Sequence, residues 1–409
     1  MKNHKSSKDR LRISKFKLDA LLDITLSINA NLPTEDLLSK YESILRNDLG
    51  IGKILIFKRS LTWECLLNGG FSNQLEEKID VETDLLRITE IEFVTDNPYF
   101  EAVDIVIPVY NNNVPLAYVF IGDIEEEGEG VSPVIKHLNF IQTISSIILV
   151  AIENIRLFNE SLRQEAIKRE LELAARMQQN LIPDNNRMPK GKNLVVNGFY
   201  FPHYEVGGDY YDCISLSENK TGFCIADVSG KGISAAILMS NFQASLRALF
   251  TSGIDLGTLL EKLNLLTIAN TAGEKFITFF IARYDSQTGI LEYINAAHNS
   301  PVLYNTVTGE LQHLHSKCIG IGMLDEFPVV EEDTIVISNY SKIVCYTDGL
   351  SELKDEEGKE IGTGEIIRHI ANSEPVGNNI QQMFEKLGIP DNNPRLFDDV
   401  SIIAADFVR

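Results

Sequence analysis

Residues 222–236 read Gly222-Phe223-Cys224-Ile225-Ala226-Asp227-Val228-Ser229-Gly230-Lys231-Gly232-Ile233-Ser234-Ala235-Ala236. An apolar run of strand-like composition ends at Asp227, a small polar turn with two glycines follows, and a helix-forming segment starts at Ser234. Three other aspartates stand in similar places: Asp209 in Val206-Gly207-Gly208-Asp209-Tyr210-Tyr211-Asp212, Asp348 in Cys345-Tyr346-Thr347-Asp348-Gly349, and Asp398 in Phe397-Asp398-Asp399-Val400-Ser401. One aspartate at a strand end is most simply a turn or cap residue. Four in one region point to a site for a hard cation, because magnesium and manganese prefer oxygen ligands and need only a few protein carboxylates.

Working outward, strands are expected at 194–201, 222–228, 276–284, 290–295, 334–337, 342–347 and 400–407, and helices at 234–250, 256–269, 363–371 and 378–387. Helix pairs between groups of antiparallel strands give an α+β region, residues 190–409, in which helices cover a two-sheet sandwich. The helix before it is expected from near Ser132 to Leu181, where Pro183-Asp184-Asn185-Asn186 stops it. In that helix Ile148, Ile152, Ile155, Leu162, Ala166 and Leu173 form a heptad-like stripe, interrupted by Asn159 and Arg169 and continued by Ala174, Met177 and Leu181. The stripe fits a parallel coiled-coil homodimer through residues 132–182, or a single amphipathic helix packed on its own domain.

Residues 16–150 mix helices and strands. Leu18, Leu21, Leu22, Ile24, Leu26 and Ile28 suggest one helix, and Thr34 is expected to cap a second that runs to Leu49. A strand is expected at 51–57, and the runs 103–109 and 115–121 flank Asn111-Asn112-Asn113 as a hairpin. Residues 1–15 read as a flexible basic arm, and Glu125-Glu126-Glu127-Gly128-Glu129 as a solvated loop.

At 409 residues the chain is long enough for two or three domains, with 44% hydrophobic residues to build their cores. A net charge of -21 disfavours nonspecific attraction to nucleic acid or anionic lipid. The five cysteines are widely spaced and odd in number, which fits reduced thiols in a cytoplasmic protein. The basic start lacks the apolar core of a signal peptide, and the run 141–155 is broken by polar residues, so no membrane span is expected.

If the aspartates converge, two divalent ions roughly 4 Å apart would polarise a phosphoryl group and activate water, without a protein nucleophile. No cysteine lies in a Cys-x5-Arg cradle, and no Walker or kinase glycine loop is present. Gly207, Gly208, Gly230 and Gly232 let backbone approach metal or phosphate closely. Ser229, Gly230 and Lys231 can touch substrate phosphate or simply form a polar turn. Asp212 and Asp399, each the second carboxylate of its motif, are expected as supporting groups, with Gly208 and Gly349 beside them. His298 is either a general acid or a turn histidine that supports the fold, and His313 and His315 lack the cysteine pair of a zinc site.

In this order the motifs resemble the metal-dependent serine/threonine phosphatases of the type 2C (PPM) superfamily, in the SpoIIE/RsbU branch. The resemblance covers residues 170–407, with the lead-in Leu171-Glu172-Leu173-Ala174-Ala175-Arg176-Met177-Gln178-Gln179-Asn180-Leu181-Ile182-Pro183, Asn295-Ala296-Ala297-His298-Asn299 and the aspartate motifs quoted above. It implies an αββα sandwich in which Asp209 bridges two manganese or magnesium ions. Asp227 and the Val228 carbonyl would serve one ion, and Asp348 and Asp398 the other. It also implies phosphoserine or phosphothreonine substrates on STAS-domain antagonists of anti-sigma factors. Ala297 stands where the usual pattern has glycine, and Lys231 where the eukaryotic-type motif has histidine. More loosely, residues 16–150 resemble a GAF sensor domain, the closing helix at 151–160 included, which implies an unidentified signal or partner there.

Overall fold

The computed structural model describes residues 2–94, 100, 102–124, 137–189, 191, 193–203, 206–328, 330, 332–354, 358–389 and 398–408. The acidic loop at 125–129 and the expected helix start at Ser132 lie outside them. The chain divides into two compact units, Met1–Glu165 and Ala166–Arg409.

The first unit opens with α1 (Lys2–Asn29) and α2 (Thr34–Ser43), the latter continued by a π-helical turn at Ile44–Asp48. The segment read as a flexible arm is therefore helical, and no proline or glycine interrupts residues 2–29. Thr34 is the first residue of α2 rather than its cap; Pro33 holds the N-cap position, where its fixed φ of -55° suits the chain entry. Then follow β1 (Ile51–Arg59), β2 (Trp63–Gly69), α3 (Asn73–Lys78), α4 (Val81–Asp84), β3 (Glu92–Phe93), β4 (Ile105–Asn111) and β5 (Val114–Ile124), with strand order β2-β1-β5-β4-β3. The β4–β5 hairpin turns at Asn112 and Asn113, both at positive φ, a conformation asparagine tolerates better than most residues.

The long helix α5 (Leu138–Gln179) follows. By length and composition it is apolar enough to cross a membrane, as a buried core helix also can be. Ile141, Ile144, Ile148, Leu149 and Ile152 are nevertheless buried in the first unit's core. Its polar residues are satisfied there: the Ser145 and Tyr41 hydroxyls pair at 2.6 Å, and Lys58 Nζ reaches Glu153 at 2.5 Å. The expected stripe thus divides, because Ile148 and Ile152 serve this core while Leu162, Leu173 and Met177 are exposed.

The second unit stacks two antiparallel sheets. One, in order β13-β10-β9-β8-β7, contains β7 (Tyr210–Ser215), β8 (Lys220–Val228), β9 (Ile277–Asp285), β10 (Ile290–Ala296) and β13 (Asp333–Val336). The other, in order β12-β11-β14-β15-β6, contains β6 (Leu194–Phe201), β11 (Val302–Asn305), β12 (Leu311–His313), β14 (Ser341–Tyr346) and β15 (Val400–Phe407). Helices α6 (Ile233–Leu249) and α7 (Leu256–Thr271) share the large core of the first sheet, and α9 (Gly362–Ile370) and α10 (Val376–Leu387) cover the outer face of the second. Period-two burial fixes this arrangement. Ile343, Cys345, Ile403, Ala405 and Phe407 enter the large core, while Val344, Tyr346, Val400, Ile402 and Ala404 enter the core beneath α9 and α10.

Candidate active site

Strand register brings the aspartates together in pairs. Tyr210 pairs with Ala226 across β7 and β8, so Asp209 and Asp227 flank that rung on neighbouring strands. In the second sheet Tyr346 pairs with Ile402, which sets Asp348 just past the end of β14 near Asp398 and Asp399, just before β15. Asp348 does not end the strand as expected: it starts the short helix α8 (Asp348–Ser351), with Thr347 at the N-cap position.

Hydrogen bonds then join the two rims. Thr347 Oγ1 donates to Asp209 Oδ2 at 2.8 Å and accepts from the Ser401 N–H at 3.0 Å. Asp399 accepts from the N–H of Gly208 at 3.0 Å and of His203 at 2.8 Å. Its Oδ2 thereby holds the Gly207-Gly208-Asp209 loop, and its Oδ1 holds the backbone at His203. A Cβ on Gly207 would run into the Asp399 carboxylate and the Tyr200 hydroxyl, and one on Gly349 into the Asp399 carbonyl. On Gly208 it would lie 2.9 Å from the Val228 carbonyl oxygen, so that oxygen faces the loop before Asp209.

Electrostatics mark the cluster. Burial, then Asp227 and Asp399, holds the Asp209 carboxyl well above the usual range. Burial, then Asp348 and Asp398, pushes Asp227 up to about 7. Asp348 is raised by burial and by Asp398. Carboxylates that resist ionising together are a donor set suited to a divalent cation, which would remove their mutual repulsion. Among the described residues, no three His, Cys, Asp or Glu side chains already close around one point. A magnesium-type ion keeps several waters and takes few protein ligands. The residues present fit such an ion.

The remaining candidates have distinct places. Asp212 is fully buried and accepts from Arg247 Nε at 2.7 Å and Nη2 at 3.0 Å, as well as from the Tyr210 hydroxyl and the Cys213 N–H. It anchors β7 to α6 instead of joining the rim. Ser229 Oγ accepts from the Phe276 N–H at 2.9 Å, and Lys275 Nζ donates to the Ser229 carbonyl at 2.8 Å. Gly230 follows at φ 82°. Lys231 Nζ lies 2.8 Å from Asp398 Oδ2. His298 is buried, its Nδ1 lies 2.9 Å from Thr278 Oγ1, and burial lowers its pKa to about 4. Thr278 is the cross-strand partner of Asp227. A histidine kept neutral here supports the strand behind Asp227.

Sequence reasoning missed three residues. Thr347 was visible in Tyr-Thr-Asp-Gly only as the residue before a ligand candidate. Tyr200 carried no motif. Gln178 donates from Nε2 to the Gly207 carbonyl at 2.6 Å and accepts from the Gly207 N–H at 3.2 Å, a reciprocal pair that joins the last turn of α5 to the loop before Asp209.

Residues 217–408 match the family model described as Stage II sporulation protein E (SpoIIE). The C-terminal unit is thus similar to SpoIIE/RsbU-type phosphatase domains over these residues. Phosphoserine phosphatase RsbU of Bacillus subtilis (strain 168) is 30% identical over 195 residues, which are 48% of this chain and 57% of RsbU. Phosphoserine phosphatase RsbP of the same organism is 25% identical over 190 residues, 45% of this chain and 46% of RsbP. The chain spans about half the length of the curated relatives it matches. The fold of the C-terminal unit is shared with the SiaA-PP2C domain of Pseudomonas aeruginosa, at a TM-score of 0.50 and 18% identity, covering 59% of this chain and 97% of that one.

Proposed function

We infer that this protein is a metal-dependent protein serine/threonine phosphatase that removes phosphate from phosphoserine or phosphothreonine, on a STAS-domain protein in a signal-controlled partner switch. The observation that carries the reading is that Asp209, Asp227, Asp348 and Asp398 lie close enough at the rims of two sheets for their charges to oppose one another's ionisation, with the rims tied by Thr347 and Asp399. Two manganese or magnesium ions held there would supply an activated water and neutralise the phosphoryl charge. The chain's own residues orient the carboxylates, and the Val228 carbonyl is available as a neutral oxygen ligand. The relatives named phosphoserine phosphatases support the substrate class.

The test is manganese-dependent phosphate release from a phosphorylated STAS-domain protein, run beside a nucleotide panel with Asp209→Asn as control. Release only from nucleotides would leave a small-molecule phosphoesterase. Metal binding without release from any substrate would leave a phosphoprotein-binding scaffold.

Regulation runs, in this reading, through α5. The Gln178 pair with Gly207 gives the helix a grip on the Asp209 loop, and the exposed Leu162, Leu173 and Met177 offer a stripe for a second copy. The N-terminal unit, with an antiparallel sheet packed against α5, would be a GAF-like sensor for a signal or partner. The five free cysteines fit a cytoplasmic setting. Excising residues 159–169 should change basal and signal-stimulated rates; unchanged rates would remove α5 from the mechanism.

A further inference from the structure

Lys231 stands on the turn between β8 and α6, between Gly230 at φ 82° and Gly232 at φ 77°. The turn belongs to the first sheet, and its ammonium crosses to Asp398 on the second, at 2.8 Å. Both side chains are partly exposed, 43% for Lys231 and 32% for Asp398, so the pair is wet and exchangeable rather than locked. Lys275 holds the same turn from the other side through the Ser229 carbonyl, 2.8 Å away, so the anchor of Lys231 is fixed while its long stem can swing.

An ammonium and a divalent ion compete when they seek the same carboxylate oxygen, and the doubly charged ion displaces the singly charged one once its concentration suffices. The displaced ammonium cannot leave, because its turn is pinned. It stays beside the carboxylate rim, where the phosphoryl group of a substrate would arrive with oxygens that accept charge-assisted hydrogen bonds. We propose that Lys231 exchanges partners: it competes with metal for Asp398 and, once displaced, binds the substrate's phosphate. Metal loading thereby completes the phosphate subsite. The inference rests on the phosphatase reading above and deepens it by coupling substrate recognition to metal occupancy at a single residue.

The test uses the full chain and two binding measurements. Calorimetric titration with Mn2+ in phosphate-free buffer should show Lys231→Gln binding about three-fold tighter than the parent, the size expected for release of an exposed ion pair. Lys231→Arg, which keeps the charge, should remain near the parent value. Lys262→Gln removes an exposed cation on α7, outside this turn, and should leave Mn2+ affinity unchanged. With saturating Mn2+, inorganic phosphate should bind Lys231→Gln roughly five-fold or more weakly, as expected when a charge-assisted contact is lost. The opposite signs of the two effects are the signature. Unchanged or weaker Mn2+ binding by Lys231→Gln, equal tightening by Lys262→Gln, or undiminished phosphate affinity would each overturn the exchange. If the parent protein binds no Mn2+ at all, the metal-dependent reading itself falls, an outcome distinct from parent binding that Lys231→Gln leaves unaltered.

Discussion

Asp209 and Asp227 sit on the rim of the first sheet: Asp209 is 3% exposed and takes a hydrogen bond from the buried Thr347 hydroxyl, while Asp227 beside it is half-buried. On the rim of the second sheet, Asp398 is partly exposed and pairs with the partly exposed Lys231, and the half-buried Asp348 opens a short helix. The same side chain is thus used in two ways. Asp209 relies on neighbours to fix its geometry and is hard to ionise without a counter-charge, whereas Asp398 can, in the exchange proposed above, trade its lysine for an ion. A site built from one rigid and one adaptable half can be specific in geometry and still release its product.

The sharpest way to break this contrast is to remove one carboxylate from each half. Asp209→Asn should lower kcat/KM on the phosphoprotein by on the order of 10³-fold or more, since it removes charge at the centre of the cluster. Asp398→Asn should cost less, on the order of 10- to 100-fold, and excess Mn2+ should recover part of it. Steady-state kinetics across a Mn2+ series separates the two, and equal, unrecoverable losses would show that the halves are equivalent.

A smaller effect is expected where the rims are pressed together. Gly349 packs so closely on the Asp399 carbonyl that a methyl group has no room, and the backbone it would displace carries the acceptor of Gly208 and His203. Gly349→Ala should destabilise the C-terminal unit by about 2–3 kcal/mol, the range typical of overpacking against backbone. Denaturant unfolding of the full chain would read this as an earlier transition of the C-terminal unit. An unchanged midpoint would mean that the rim is looser than its contacts indicate.

Strands β6 and β15 were legible because their apolar patterning leaves no other assignment, and their bounds in the structure are those read from sequence. The aspartate motifs were legible for a related reason: a carboxylate beside glycine at the end of an apolar run is locally unusual. Strand β7 was not, because its Asp212 looks like a surface residue until Arg247, 35 positions later on α6, neutralises it. The division of the α5 stripe was equally hidden, since periodicity records which residues are apolar but not which neighbour covers them. Ala297 adopts φ 55° at the place where the resembling pattern has glycine, a strain that residue identity alone does not reveal.

Thr347 is the residue that makes the buried half of the site dependent on the other sheet, and it gives the most delicate test. Its hydroxyl donates to Asp209 while accepting the Ser401 N–H, so one oxygen sets both the carboxylate and the start of β15. Thr347→Val keeps the shape but removes donor and acceptor together. The loss should weaken Mn2+ binding by about ten-fold, as expected for a neighbour that orients a ligand. Thr347→Ser keeps the hydroxyl and should restore affinity to within about two-fold, because the hydrogen bond, not the methyl group, does the positioning. A residue that only supported the fold would shift the unfolding midpoint in both variants and leave metal affinity in the folded protein alone. If Thr347→Val lowers kcat at saturating Mn2+ as well, the hydroxyl also orients Asp209 during the reaction; if the deficit vanishes at high Mn2+, its role ends with metal capture.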